Sequence, residues 1–207
     1  MKIMAKPNIQ LQATRAGTKV MTGLVRGAFV NLFVAKPNPS GILKFGMTML
    51  IDPADPQLKL MKEAAHQAAV EKWGDKIPKR LNSPFRDGSE KEYIGFAGNI
   101  FVAATASEDS KPGVVDASTP PKEITDAHKC YSGAWYRCVV NAFAYDKAGN
   151  IGVAFGLNHV QLVADDEAFS GRGNATKVFD GIFNPDTPDA FKEADDKVSA
   201  DVESLFG

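Results

Sequence analysis

Alternating apolar and polar positions divide most of the chain into predicted strands. Five segments are rich in Val, Ile, Phe, Tyr and Thr, which favour a pleated, half-buried backbone. They are residues 18–34, 43–51, 93–106, 134–145 and 151–163. Gly23 and Gly27 predict bends or bulges within the first segment. The sequence DKAGN between the last two predicts a tight hairpin, with a glycine where the backbone needs a positive φ.

One segment changes to a period of three and four residues, which predicts a helix. Asp55 followed by Pro56 has the pattern of an N-cap with proline at the first helical position, and Gly74 is a stop signal. The predicted apolar stripe is Leu58, Met61, Ala65, Ala69 and Trp73. We expect this helix to cover an open end of a sheet. Five strands with one helix between the second and third indicate a mainly β protein, a small and strongly curved barrel.

The charge is distributed unevenly along the chain. Residues 1–164 carry 20 Lys/Arg against 14 Asp/Glu, a net charge of +6, whereas residues 165–207 carry 4 against 11, a net charge of −7. We therefore divide the chain into a barrel domain, 1–164, and an acidic C-terminal tail, 165–207. A basic body with an acidic tail is expected of a nucleic-acid binder whose tail competes for the binding face. A tail that serves only solvation explains the charge equally well.

Several classes of protein find no support in the sequence. There is no apolar run long enough for a transmembrane helix and no apolar region of a secretory signal, so we expect no membrane association. Cys130 and Cys138 make no disulfide framework, which favours a reducing cytosolic location. They could be combined with His128 and His159 as a zinc set, but the spacing matches no familiar finger, so buried structural cysteines are favoured. We find no catalytic motif and predict no enzyme, no cofactor and no metal.

Aromatic and basic residues are combined in two regions, as single-stranded nucleic acid requires for stacking and phosphate contact. Period-two alternation over 134–145 places Trp135, Arg137, Phe143 and Tyr145 on one face and small apolar residues on the other, inward face. The region 76–101 mixes basic and aromatic residues in the same way. Packing beneath a loop, or solvation, explains each residue singly as well. The predicted DNA contacts are Lys79, Arg80, Arg86, Lys91, Tyr93, Trp135, Arg137, Phe143 and Tyr145.

The acidic tail has a second pattern. Phe191, Ala194, Val198, Val202 and Leu205 follow helical spacing, so the tail could form an amphipathic helix that docks on the body or on a partner. Its acidity argues for marginal helicity when free, and we favour a segment that orders upon binding. The predicted partner-binding residues are Asp195, Asp196, Asp201, Glu203, Leu205 and Phe206.

Several stretches resemble a family of bacteriophage single-stranded-DNA-binding proteins of the OB-fold class, related to the podovirus replication protein that coats single strands. They are SPFRDGSEKEYIG, KPGVVD, YSGAWYRCVVNAFAYDKAGNIGVAFGLNHVQ and SGRGNATKVFD, within residues 18–180. The resemblance implies a five-stranded Greek-key barrel and binding without sequence preference in phage replication or recombination. It also implies an acidic tail that ends in an aromatic residue and recruits replication proteins of phage or host. Here Gly207 follows Phe206.

Two other functions remain as alternatives to single-stranded-DNA binding. The first is a phage structural or scaffolding protein that uses the tail helix for assembly. The second is a nuclease-like enzyme, against which stands the lack of clustered carboxylates or His pairs for a metal. The sequence does not predict the oligomeric state, and a homo-oligomer is compatible with it.

Overall fold

The structure, a computed structural model, describes residues 7–169 of the 207. Its strands are β1 (Thr14–Ala16), β2 (Lys19–Met21), β3 (Val25–Pro37), β4 (Leu43–Ile51), β5 (Arg86–Asp87), β6 (Ile100–Ser107), β7 (Gly113–Val115), β8 (Trp135–Lys147) and β9 (Asn150–Ala164). Helix α1 (Gln57–Trp73) lies between β4 and β5, and two short 3₁₀ turns cover Gly88–Glu90 and Ala127–Lys129.

Five of these strands close into a ring. β3 pairs with β4, and β4 with β6, in an antiparallel meander. β8 and β9 form a long antiparallel hairpin. β8 then pairs antiparallel with β3, and β9 pairs parallel with β6, which joins the hairpin to both ends of the meander. This is the Greek-key barrel of the OB fold, so the predicted five-stranded barrel with a helix between its second and third strands is confirmed.

Helix α1 and the inward side chains of the ring share one hydrophobic core. The predicted inward face of β8 is confirmed, because Tyr136, Cys138, Val140 and Ala142 are at most 4% exposed. The predicted stripe of α1 packs against the same core, with Trp73 half-buried at its end. The helix begins one residue later than predicted, at Gln57, although Asp55 Oδ1 still accepts a hydrogen bond from the Gln57 amide at 3.0 Å.

Two of the five predicted strands have different bounds in the structure. The segment 18–34 is interrupted between β2 and β3, because the buried Gln57 side chain accepts a hydrogen bond from the Gly23 amide at 3.1 Å. The segment 93–106 becomes a strand only at Ile100, since residues 93–99 form turns. Gly95 and Gly98 hold positive φ angles of 83° and 77° in those turns, which an extended strand does not accept.

The first compact unit of the chain ends at Phe169. It therefore includes five residues, 165–169, beyond the end of β9, and we call these residues the strap. The acidic tail beyond residue 169 lies outside the described residues, as do the predicted partner-binding residues 195–206. Over residues 7–169 no helix has the length and apolar character needed to cross a membrane.

Candidate nucleic-acid interface

The middle of the outer face of β4 and β6 is built from small side chains. Strand alternation points Met47 and Met49 into the core, so that Gly46 and Thr48 lie on the opposite, outer face, where both are buried. The register sets these two residues opposite Thr105 and Ala103 of β6. β4 and β6 are the second and third strands of the ring, and it is this face that OB folds use for oligonucleotides. The two strands therefore present small side chains where OB folds bind oligonucleotides.

A continuous row of side chains crosses this face at right angles to the strands. Register pairs Trp135 of β8 with Arg26 of β3, Arg26 with Leu50, Leu50 with Phe101, and Phe101 with Arg86 of β5. Four strand spacings of about 4.8 Å give this cross-strand row a length of roughly 19 Å. Cationic and aromatic side chains along one line are what a single strand requires, with phosphates at the cations and bases at the rings.

Four aromatic rings gather beside the Phe101 end of the row, and we call Phe29, Tyr93, Phe96 and Phe101 the aromatic cluster. Ring centroids lie 5.1 Å apart for Phe29–Tyr93, 5.4 Å for Tyr93–Phe96 and 5.3 Å for Phe96–Phe101. Phe96 and Phe101 are buried, whereas Phe29 and Tyr93 are 52% and 56% exposed. The exposed rings of Phe29 and Tyr93 therefore both pack against the buried Phe96, which in turn packs against Phe101.

Phe29 owes its exposure to an irregular backbone. Its φ is 49°, and the pairing of β3 with β4 shifts register between Ala28 and Asn31. This is a β-bulge, which re-aims a side chain out of the regular alternation. A bulky residue with positive φ is an outlier, because its Cβ is crowded by the backbone. The strand therefore accepts strain at the point where it projects a phenylalanine ring.

Arg86 supplies the cation nearest to the cluster. Its guanidinium carbon lies 5.0 Å from the centroid of the Phe101 ring, and its side chain is exposed. The next residue, Asp87, accepts a hydrogen bond from the Ser89 amide at 2.8 Å, which lowers the pKa of the Asp87 carboxyl and caps the following 3₁₀ turn. This turn leads from Arg86 to Lys91 and Tyr93 and fixes the path of the loop.

The opposite end of the row is covered by the strap. Asp166 forms an ion pair with Arg26 at 3.2 Å and accepts a hydrogen bond from Trp135 Nε1 at 2.8 Å. Arg26 also lies over the Trp135 ring and over the Phe169 ring, at 5.5 and 4.7 Å from their centroids. Tyr131 adds a hydrogen bond from its hydroxyl to the Asp166 carbonyl at 2.9 Å. The strap is therefore a packed part of the barrel.

Phe169 connects the strap to the aromatic cluster. It packs against the small outer core formed by Ala28, Leu50, Phe96 and Phe101. Its ring lies directly over Gly95, where an added Cβ would approach it to 2.5 Å. Gly95 belongs to the turns that carry Tyr93 and Phe96. The strap therefore holds the loop that positions half of the cluster.

The structure brings three of the predicted DNA contacts together. Arg86 and Trp135 stand at the two ends of the cross-strand row, and Tyr93 belongs to the aromatic cluster. Trp135 is only 8% exposed because Asp166 and Arg26 enclose it. Arg137 is half-buried and donates to the backbone carbonyls of Thr22 and Gln12, both at 3.0 Å. Its guanidinium thus holds the N-terminal segment against β8.

The remaining predicted contacts lie around this region. Phe143 is 42% exposed and Tyr145 is half-buried toward the tip of the β8–β9 hairpin. This hairpin connects the fourth and fifth strands of the ring, and the corresponding loop binds oligonucleotides in OB folds. Lys79 and Arg80 are exposed in the segment between α1 and β5, and Lys91 follows the 3₁₀ turn. Their role as contacts stays a prediction.

Sequence reasoning missed Phe29 and Arg26. A signal for Phe29 was present, because Ala28, Phe29 and Val30 are three consecutive apolar residues that break the period of two in front of Asn31. Such an interruption is typical of a bulge. Nothing near Arg26 in the sequence indicates Asp166, its partner 140 positions later, because that contact depends on the tertiary fold.

The cysteines are enclosed by the fold. Burial raises the pKa of the Cys138 thiol to about 12 and that of Cys130 to about 11. A thiol with a raised pKa is a poor nucleophile and a poor metal ligand at neutral pH. Within residues 7–169 no group of three or more His, Cys, Asp or Glu side chains is arranged to hold a metal ion.

The ring topology and the face just described define an OB-type barrel of the nucleic-acid-binding kind. The family can be stated as well: the chain belongs to the family described as "Enterobacter phage Enc34, ssDNA-binding protein", whose model matches residues 18–193. The resemblance stated from the sequence is thereby confirmed.

Individual relatives agree with this family. The chain is 34% identical over 176 residues to "Putative protein p50" of Acyrthosiphon pisum secondary endosymbiont phage 1, covering 79% of this chain and 94% of that protein. The fold is similar to that of the single-stranded DNA-binding protein from bacteriophage Enc34 in complex with ssDNA, with a TM-score of 0.65 at 17% identity, over 77% of this chain and 98% of the other. It is also similar to gp2.5, a single-stranded DNA-binding protein of bacteriophage T7, with a TM-score of 0.53 at 16% identity, over 76% and 92%.

Proposed function

We propose that this protein binds single-stranded DNA without sequence preference and acts in phage DNA replication or recombination, in the cytoplasm of the infected host cell. It is a binding protein without catalytic activity. The observation that carries the proposal is the Arg86 end of the cross-strand row, on the face that OB folds use for oligonucleotides. There the exposed Arg86 guanidinium lies over the Phe101 ring, beside the exposed rings of Phe29 and Tyr93. Membership in a family of single-stranded-DNA-binding proteins supports the same ligand.

The binding has an electrostatic and a stacking component. The cations that contact backbone phosphates are Lys79, Arg80, Arg86 and Lys91, since all four are exposed in the segment that leads from α1 through β5 to the aromatic cluster. Bases stack on exposed aromatic rings, which tolerate any sequence because every base has a π-face. Tyr93 and Phe143 are the most exposed of the predicted aromatics. Trp135 and Arg137 contribute where a strand displaces their present internal partners.

A salt titration tests this proposal. The full chain is titrated into labelled oligo-dT, and the fluorescence anisotropy is followed at several salt concentrations. Release of counterions from four phosphates predicts a slope of about −3 in log K against log salt, at about 0.7 for each contact on a single strand. Arg86→Ala lowers the slope by about 0.7, whereas Lys62→Ala, on the exposed side of α1, leaves it unchanged. Absence of binding at the lowest salt, or equal affinity for duplex, would contradict the proposal.

The acidic tail competes with DNA for the binding face. Its carboxylates imitate a phosphate backbone, so removal of residues 187–207 is expected to tighten binding at low salt. A variant of full length with amides in place of the carboxylates separates charge from length. The exchanged residues are Asp195, Asp196, Asp201 and Glu203. Equal affinity of both variants and the parent at low salt would refute the competition.

The same tail recruits replication proteins of the phage or the host. Leu205 and Phe206 provide an apolar anchor among carboxylates, which suits a basic surface with an apolar pocket. Immobilised peptide 187–207 should therefore capture the polymerase that replicates the phage, and a peptide with Leu205→Ala and Phe206→Ala should not. Equal capture by both peptides would show that the carboxylates alone attract the polymerase and would refute the apolar anchor.

A further inference from the structure

We propose that Phe29 is a stacking site for a nucleobase of single-stranded DNA, with Tyr93 and Phe96 holding its ring in place. The inference rests on the proposed function and names a contact that the sequence did not predict. Phe29 is 52% exposed although it belongs to a strand of the closed ring. An aromatic residue of this size loses burial energy when half of it stays in water, so its exposure needs a reason.

The local geometry holds the ring in one orientation. The Tyr93 ring meets it edge to face at a centroid distance of 5.1 Å and an interplanar angle of 86°. Phe96 touches it from below at 5.8 Å, and Phe96 itself is only 2% exposed. A ring supported on its side and its base loses little further freedom on binding, which favours stacking. Since the two exposed rings are perpendicular, they do not sandwich one base, and the exposed half of the Phe29 side chain is the stacking surface.

The backbone at Phe29 supports a functional reason for the exposure. A φ of 49° strains the backbone of a bulky residue, and such strain is concentrated at binding sites. Glycine would occupy this position without strain. Because about half of the Phe29 side chain stays in water, its burial does not offset the strain. The bulge therefore serves to aim the side chain.

The surroundings of Phe29 fit a nucleotide in particular. Arg86 lies over the Phe101 ring, which connects through Phe96 to Phe29. The cluster thus offers a π-face for a base and a guanidinium for the phosphate next to it, which is the pairing that single-strand sites use. A partner protein would bury the whole apolar patch but would gain nothing from the strained projection of a single ring. We therefore assign this site to a nucleobase.

The experiment compares two oligonucleotides that differ only in their bases. Labelled oligo-dT and an abasic strand of the same length and charge are each titrated with the full chain and with its Phe29→Leu variant. The variant is expected to bind oligo-dT about 5- to 150-fold more weakly, which corresponds to the ~1–3 kcal/mol of one stacked base, and to bind the abasic strand as the parent does. An equal loss for both strands would assign Phe29 to the structure of the face and overturn the inference.

A second variant separates binding from folding. Phe29→Gly removes the same ring but relieves the backbone, so its urea midpoint is expected to equal or exceed that of Phe29→Leu, while its affinity for oligo-dT is reduced to a similar degree. A lower urea midpoint for Phe29→Gly than for Phe29→Leu would refute the proposed backbone strain at Phe29. If the parent itself does not bind oligo-dT, the proposed function fails. If the parent binds and both variants bind equally well, only the stacking site fails.

Discussion

The ion pair between Arg26 and Asp166 predicts that the strap contributes strongly to stability. The side chains of Arg26 and Asp166 are 13% and 4% exposed. When one of them is removed, water can therefore hydrate little of the charged group that remains. Asp166→Ala removes the carboxylate that neutralises Arg26, whose guanidinium keeps only the Gly133 and Glu167 backbone carbonyls as acceptors. It also leaves the Trp135 indole N–H without its acceptor. Removing one member of a buried pair costs about 3–5 kcal/mol. Asp166→Asn keeps an oxygen for the indole and loses the charge, for which we expect about 1.5–3 kcal/mol.

The measurement is urea unfolding followed by circular dichroism, since tryptophan fluorescence would report the change at Trp135 itself. Asp165→Ala is the matched control. Its carboxylate is exposed and only shares the Tyr131 hydroxyl hydrogen, at 3.1 Å, with the nearer Asp166 carbonyl, so its removal should cost less than about 1 kcal/mol. A loss below about 1 kcal/mol for Asp166→Ala, or one equal to that of the control, would refute the reasoning. A double-mutant cycle with Arg26→Ala isolates the pair, with an expected coupling of about 1–3 kcal/mol.

Three further predictions concern other parts of the barrel. A chain that ends at Phe169 should unfold like the full chain, whereas one that ends at Ala164 should lose at least as much stability as Asp166→Ala; equal urea midpoints would contradict this. Gly95→Ala should destabilise the barrel by about 1–3 kcal/mol, because its φ is 83° and its Cβ would meet the Phe169 ring; an unchanged melting temperature would refute it. Burial raises the pKa of Cys138 above its value in the unfolded chain, so its contribution is complete below about pH 9 and is lost as the pH rises toward the folded value. By urea unfolding at each pH we expect Cys138 to contribute a loss of about 1 kcal/mol from about pH 9 to about pH 10, so that Cys138→Ala loses less than the parent, while Cys130 still titrates in both; an equal loss in both would refute it.

The fold was largely predictable because its signals are local. The inward face of β8 follows from period two, α1 from its period of three to four, and the β8–β9 turn from Gly149 at a φ of 83°. The short strands β1, β5 and β7, of two or three residues each, carry too few positions for a pattern.

The candidate site was predictable only in part. Alternation placed Trp135 on the outer face correctly, but it gave no information on what covers that face. Asp166 and Arg26 lie 140 positions apart, and their contact depends on the pairing of β3 with β8 and on the path after β9. The exposure of Phe29 likewise depends on a shift of register between two strands, which composition does not encode. Contacts of this kind follow from closure of the barrel.

The parallel contact of β6 with β9 involves only Ala104 with Phe155 and Thr105 with Gly156. The other contact between the two pieces, antiparallel β3 with β8, pairs only Val25 with Tyr136 and Arg26 with Trp135. The remaining ring neighbours are antiparallel and belong either to the meander of β3, β4 and β6 or to the hairpin of β8 and β9. The barrel can therefore assemble as two pieces that form early and dock late, since contacts distant in sequence carry the largest loop-closure cost. The meander alone carries the aromatic cluster, while the docking step brings Trp135 and the strap to the row. Folding kinetics should therefore show two stages: the aromatic cluster forms first, and the interface is completed when Trp135 and the strap reach the row.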